Sequence, residues 1–137
     1  MFRRMLKSKI HRAVVTDADV SYEGSITIDP DLMEAAEMVE YEEVHVWDLT
    51  NGARISTYVI PGERGSGTVA INGAAAHLVK RGDEVIVASF ADYEDAATAG
   101  FAAKKVFVDS RNRIVRSEPS CACTTAGADS SCGSTPS

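Results

Sequence analysis

Cysteine is absent from the first 120 residues of this 137-residue chain, and Cys121, Cys123 and Cys132 all fall in the tail. The body of the chain therefore holds neither a disulfide framework nor a cysteine-built metal centre. Within the tail, Cys121-x-Cys123 and Cys132 lack a fourth nearby ligand and the usual structural-zinc spacing, so no metal is expected there. Long apolar runs are missing too. None approaches the ~20 residues of a membrane helix, and none follows the basic N-terminus as in a signal peptide. The expected compartment is the cytoplasm, with no membrane partner. A basic excess is also lacking: 20 acids outweigh 14 Lys and Arg, for a net charge of −6. That argues against a general nucleic-acid binder. The exception is the first twelve residues, where Arg3, Arg4, Lys7, Lys9 and Arg12 stand without an acid. They read as a solvated or subunit-contact strand. No Gly-rich, phosphate-cradling helix start is evident, so pyridoxal phosphate is not expected.

What is present suffices for one domain. The chain is 45% hydrophobic, enough for a modest core that oligomer formation would help. Ser117 to Ser137 has no Leu, Ile, Val, Met or aromatic residue and is expected to be a disordered tail. The rest, residues 1–116, reads as mainly β with a few short helices. Phe2–Thr16 is an expected strand on which Lys7, Lys9 and His11 share parity. Ile26–Ile28 is a short strand. Asp29 caps a helix entered through Pro30, with Leu32, Ala35, Ala36 and Val39 at helical spacing. Glu43–Leu49 and Arg54–Ile60 form a hairpin around Asn51-Gly52. Thr68–Ile71 is a strand, Ala74–Val79 a short helix, Glu84–Phe90 a strand and Asp92–Phe101 helical. Val106–Val108 and Arg113–Val115 close with a hairpin. Many short strands at this spacing suggest a small closed barrel.

Chemistry concentrates in a few blocks. At Gly24-Ser25, a hydroxyl lies one residue beyond an unshielded carbonyl, just before the Ile26-Thr27-Ile28 strand. Glycine also permits backbone conformations closed to other residues. Attack of the Ser25 hydroxyl on the carbonyl at residue 24 would turn the peptide into an ester. Elimination would then break the chain and leave a ketone at residue 25. Standing alone, a Gly-Ser pair is most often a turn. Arg54 offers a planar fork suited to a carboxylate, against the alternative of a surface charge. Tyr58 shares its strand parity and carries a weakly acidic phenol, or else packs in the core. Asn72-Gly73-Ala74-Ala75-Ala76 reads as a strand end entering a short helix, where small side chains let a ligand approach. Trp47 and Tyr22 read as walls of a pocket or as core.

Taken together, Lys7–Arg12, Asp19–Ile28, Trp47–Gly52, Arg54–Tyr58, Ile71–Leu78 and Arg81–Ile86 resemble the bacterial pyruvoyl-dependent aspartate 1-decarboxylases over about residues 1–116. The resemblance implies a double-psi β-barrel assembled as a homotetramer, with active sites between subunits. It implies self-cleavage between Gly24 and Ser25, with Thr57 assisting, into fragments 1–24 and 25–137. Ser25 would become a covalent pyruvoyl cofactor, with no metal and no pyridoxal phosphate. The substrate L-aspartate would condense with the ketone, which takes up the electron pair as carbon dioxide leaves. The product, β-alanine, feeds pantothenate and coenzyme A synthesis. The resemblance further implies Tyr58 as proton donor and Lys9, Arg54, Thr57, Gly73, Ala74 and Ala75 as substrate contacts. Asn72 would hold the pyruvoyl region, with His11, Tyr22 and Trp47 in support. Some relatives process with a helper protein, and that partner is left open here. Two other readings stand beside this one. A small β-barrel can be an uncleaved DNA-binding or adaptor module, with the basic N-terminal strand as its contact face. It can also be a precursor that serves only as a scaffold.

Overall fold

The computed structural model describes residues 1–119. The cysteine-bearing tail, with Cys121, Cys123 and Cys132, lies outside the described residues. Nine strands appear in chain order: β1 (Phe2–Val14), β2 (Asp17–Asp19), β3 (Ser25–Ile28), β4 (Glu43–Asp48), β5 (Arg54–Pro61), β6 (Val69–Asn72), β7 (Glu84–Glu94), β8 (Lys104–Val108) and β9 (Ile114–Glu118). The one α-helix, α1, spans Pro30–Ala35, and short 3-10 turns cover Gly73–His77 and Asp95–Thr98. The chain is thus mainly β. Strand β9 reaches Glu118, inside the stretch that composition assigns to the tail.

The hydrogen-bonded order is β2-β6-β3-β5-β4-β7-β1-β8-β9. Strand β2 begins three residues after β1 ends, so β1 and β2 are one run interrupted at Val15-Thr16. Its first part pairs with β7 and its last part with β6. Thr16 N–H also donates to the Val69 carbonyl at 2.8 Å. The sheet therefore closes on itself through this run. The ring has six members, with β8 and β9 added outside, β8 pairing parallel to β1.

Alternation fills the ring. Ile10, Ile26, Ile28, Val44, Val46, Val59, Val69, Ile71, Val85, Val87 and Val106 are fully buried. Each such side chain contributes roughly 1.5–3 kcal/mol of apolar burial. The opposite faces of β4, β5 and β7 carry His45, Trp47, Arg54, Ser56, Tyr58 and Phe90.

Three local expectations change. Helix α1 is shorter than the spacing of its apolar residues suggests. Glu37 takes a left-handed conformation (φ 56°), and Met38 N–H returns to the Met33 carbonyl at 2.8 Å. This Schellman-type stop turns Met38 inward and leaves Val39 exposed. Asp92–Phe101 is not a helix. The β1·β7 ladder runs on to Phe2↔Glu94, and only Asp95–Thr98 forms a turn of 3-10 helix. Finally, Lys7 does not stay in line with Lys9 and His11. The ladder shifts between Leu6 and Ser8, a bulge at Lys7. Lys7 Nζ donates to Glu42 and to the Glu37 carbonyl, both at 2.6 Å.

Four of the five basic N-terminal residues have acidic partners. Arg3 pairs with Asp95, Arg4 with Asp92 at 3.3 Å, Lys7 with Glu42 and Arg12 with Glu84 at 2.8 Å. Much of the charge on which a nucleic-acid face would rest is therefore matched within the chain. No helix among the described residues is long and apolar enough to cross a membrane.

Candidate active site

Ser25 opens β3 directly opposite Asn72, the last residue of β6. Both side chains are buried. Asn72 Nδ2 donates to Ser25 Oγ at 2.9 Å and to Thr27 Oγ1 at 3.0 Å. The amide uses both its hydrogens, and Ser25 Oγ accepts one of them, which leaves its own O–H free to be given up. The hydroxyl is thus held at the start of a strand, immediately after the exposed Glu23-Gly24 loop.

Gly73 supports that loop from beneath. Its φ of +82° favours glycine, and a Cβ there would lie 2.6 Å from Gly24 Cα and 3.2 Å from the Tyr22 carbonyl oxygen. Glycine is thus needed at residue 73 for both conformation and space. Gly24 differs: its backbone is outside the left-handed region, and an added Cβ would meet nothing within 4 Å. The conformational demand anticipated at residue 24 falls on residue 73. Ala74 is exposed and Ala75 half-buried on the 3-10 turn that follows.

A cleft of about 650 Å³ opens above this point, and Ser25, Tyr22, Glu23, Tyr41, Tyr58 and Ile60 line it. Tyr58 and Tyr41 stand with ring centroids 6.1 Å apart. The cleft therefore brings together Ser25, Tyr58 and Tyr22. Thr57 does not line it. The β4·β5 ladder runs without interruption from Trp47↔Arg54 to Glu43↔Tyr58, so no bulge reverses its parity. Thr57 stays on the inner side of β5 with Ile55 and Val59.

The cations lie on a second surface. Arg54 stacks over Trp47, with Cζ 4.5 Å from the ring centroid. Together with Arg4, His45, Ser56 and Phe90 they line a groove of 510 Å³. Trp47 and Tyr22 thus wall two different recesses. Register continues the Arg54 face across the sheet, through Ser56↔His45↔Ala88↔Lys9. Lys9 makes no ion pair among the described residues. His11 packs edge-on against Phe107 at 5.3 Å, and its Nδ1 is buried without a partner. Burial, then Lys9, Arg12 and Arg116, push its pKa below the ordinary 6.5. This lowering favours the uncharged imidazole.

Arg54 and Tyr58 share the outer face of β5, four residues and roughly 13 Å apart along the strand. The chain thus carries a hydroxyl-and-phenol cleft and, beside it, a cationic aromatic face. Sequence reasoning missed His45, Phe90, Ser56 and Tyr41. Alternation from Trp47 could have found His45; nothing in the linear pattern places Tyr41 beside Tyr58.

Comparison with known proteins identifies the family. The family model described as aspartate decarboxylase matches residues 1–115. An aspartate 1-decarboxylase of Myxococcus xanthus is 57% identical over 115 residues, covering 84% of this chain and 88% of that relative. The match takes in the Ser25 cleft, the Asn72-Gly73 support and the Arg54 face alike, and the chain belongs to the aspartate decarboxylase family.

Proposed function

We propose that this chain decarboxylates L-aspartate to β-alanine at a site built from its own Ser25. The observation that carries the reading is the buried Ser25 Oγ, held by Asn72 one residue beyond the Gly24 carbonyl. Ser25 Oγ attacks that carbonyl carbon, the C–N bond breaks, and residue 25 is left as a free amine esterified through its side chain. Loss of the Cα proton then expels the Gly24 carboxylate from Cβ. The resulting enamine tautomerises, and water releases ammonia to leave a ketone at residue 25. Once formed, that ketone supplies the electron sink that decarboxylation requires.

The remaining steps belong to side chains. Arg54, and Lys9 on the same face, bind substrate carboxylate; the planar fork of Arg54 orients it. Tyr58, in the cleft with Ser25, delivers a proton to the carbon that has lost carbon dioxide. Within one subunit the cations and Ser25 occupy separate recesses. This separation supports a homotetramer in which one copy's cationic face completes a neighbour's Ser25 cleft.

The test combines intact mass with trapping. The purified protein should give fragments 1–24 and 25–137, and borohydride added with aspartate should trap a secondary amine on residue 25. Ser25→Ala should remain one chain and turn over nothing. A trapped lysine, or activity that needs added pyridoxal phosphate, would overturn the reading.

A further inference from the structure

Five of the nine arginines pair with a carboxylate: Arg3, Arg4, Arg12, Arg64 and Arg116. Of the other four, Arg54 stacks on Trp47. The remaining three, Arg81, Arg111 and Arg113, line a single recess of 450 Å³, whose lining holds no Asp or Glu. None of the three makes an ion pair among the described residues, and the neighbouring carboxylates, Asp109 by Arg111 and Arg113 and Asp29 by Arg113, stand outside the lining of the recess.

The recess is rigidly built. Arg111 and Arg113 flank Asn112, which is buried and left-handed (φ 61°). Asn112 Oδ1 accepts from Val14 N–H at 2.8 Å, and its Nδ2 donates to the carbonyls of Val14 at 2.9 Å and Gly67 at 2.8 Å. Asp109 Oδ1 accepts from Arg111 N–H at 2.8 Å and Arg113 N–H at 3.0 Å. Gly67 presses on this turn, for a Cβ there would sit 2.6 Å from the Arg111 carbonyl oxygen. Arg81 sits on a turn pinned by Gly82 N–H to the Val15 carbonyl at 2.8 Å. One Arg113 N–H donates to the Gly65 carbonyl at 3.0 Å, and the rest of its fork is uncommitted. Ser66 and Ser110 add hydroxyls to the lining.

We propose that this recess binds a phosphate group. Planar guanidinium forks carried on fixed turns match tetrahedral anionic oxygens, and the Asn112 network already holds the backbone turn that carries two of them. The site is distinct from the Ser25 cleft and the Arg54 groove, with which it shares no lining residue. It lies at the opposite end of β6 from Asn72: Gly67 and the Thr16–Val69 bonds mark one end, the Ser25 contact the other.

Calorimetric titration of the mature protein in chloride buffer tests this, with inorganic phosphate and glycerol 3-phosphate as separate probes. Saturable binding of either supports the site. Tighter binding of the monoester identifies a phosphorylated organic ligand, and equal or weaker binding identifies free phosphate. Arg81→Gln and the pair Arg111→Gln/Arg113→Gln should each weaken binding about three- to tenfold per arginine removed. The control Arg64→Gln should not. Arg54→Ala should also retain binding; its loss there, with retention in Arg111→Gln/Arg113→Gln, would put the anion on the other face and overturn the proposal. So would no saturable binding of either probe to the parent protein.

Discussion

Asn72 meets Ser25 twice, once across the β3·β6 ladder and once through its side chain, whose Nδ2 lies 2.9 Å from Ser25 Oγ. Ladder and amide together fix where the hydroxyl points. Asn72→Ala should keep the ladder and lose the aim. Net stability should fall by about 1 kcal/mol for the lost hydrogen bonds. Self-cleavage should slow on the order of tenfold or more, because misplacement of a reacting atom is costly. The fraction of intact chain against time, read by mass spectrometry, checks this. Cleavage at the parent rate would mean that another group aims Ser25.

Gly73 and Gly24 offer a sharper contrast. A methyl at residue 73 would collide with the Gly24 backbone and would sit at φ +82°. Gly73→Ala should displace the Tyr22–Gly24 loop, cost about 1–3 kcal/mol and block processing. Gly24→Ala adds a methyl into open space and should fold like the parent. Thermal unfolding of the two variants, beside their intact masses, decides the matter. Equal damage from both would show that the loop moves freely over Gly73.

Much of this was legible in the sequence because short-range rules govern it. Asp29 does cap α1, accepting from Asp31 N–H at 2.8 Å, and Asn51-Gly52 does turn the β4–β5 hairpin. Strand parity correctly put Arg54 and Tyr58 on one face. Parity failed at Lys7, where a bulge intervened, because a bulge depends on what the partner strand offers. It could not separate Trp47 from Tyr22 either. Both are aromatics near candidate residues, and only the curl of the barrel assigns them to different recesses. The Arg111-Asn112-Arg113 turn was invisible for a related reason: its anchor, Val14, is 98 residues away.

The separation of Arg54 from Ser25 within one chain gives a complementation test. Ser25→Ala lacks the nucleophile but keeps the cationic face. Arg54→Ala keeps Ser25 and Tyr58; alone, it should lose at least tenfold in kcat/KM, and Arg54→Lys should recover only part. If sites form between copies, co-expressed Ser25→Ala and Arg54→Ala chains should restore activity at roughly a quarter of the sites. Mixed protein no more active than the sum of its parts would place Arg54 and Ser25 of one chain in the same site.

Acid should loosen the chain through Glu42. Burial raises the pKa of this carboxyl, but hydrogen bonds from Lys7, Ser89 and Val39 N–H outweigh it and hold the pKa below the ordinary 4.5. A depressed folded-state pKa contributes stability above the unfolded value, and this is lost as pH falls through the folded one. Unfolding temperature should therefore drop as pH falls from about 5 toward 3. Glu42→Gln, which cannot titrate, should be less stable at neutral pH and show a shallower acid decline. An unchanged slope would assign the acid sensitivity to other carboxylates, of which Asp29 is the next to vary, since Asp31, Gly65 and Gly67 N–H groups hold its pKa down against the cost of burial.

Substitution of Tyr58 should separate maturation from turnover. It lines the cleft with Ser25, yet the amide that touches Ser25 Oγ belongs to Asn72. Self-cleavage needs a hydroxyl attack and an elimination at residue 25, and neither requires an acid poised over a substrate carbanion. Turnover does require one. Tyr58→Phe keeps the ring against Tyr41 and so should keep the fold and the cleft wall. It should process, then decarboxylate aspartate about 10²–10⁴-fold more slowly, the usual contribution of a positioned general acid. Normalising turnover to the cleaved fraction, counted by mass spectrometry, removes any effect on processing. If cleaved Tyr58→Phe protein turns over aspartate at the parent rate, the proton comes from a bound water or from another side chain. Tyr41, the cleft phenol that packs against Tyr58, would be the first to test.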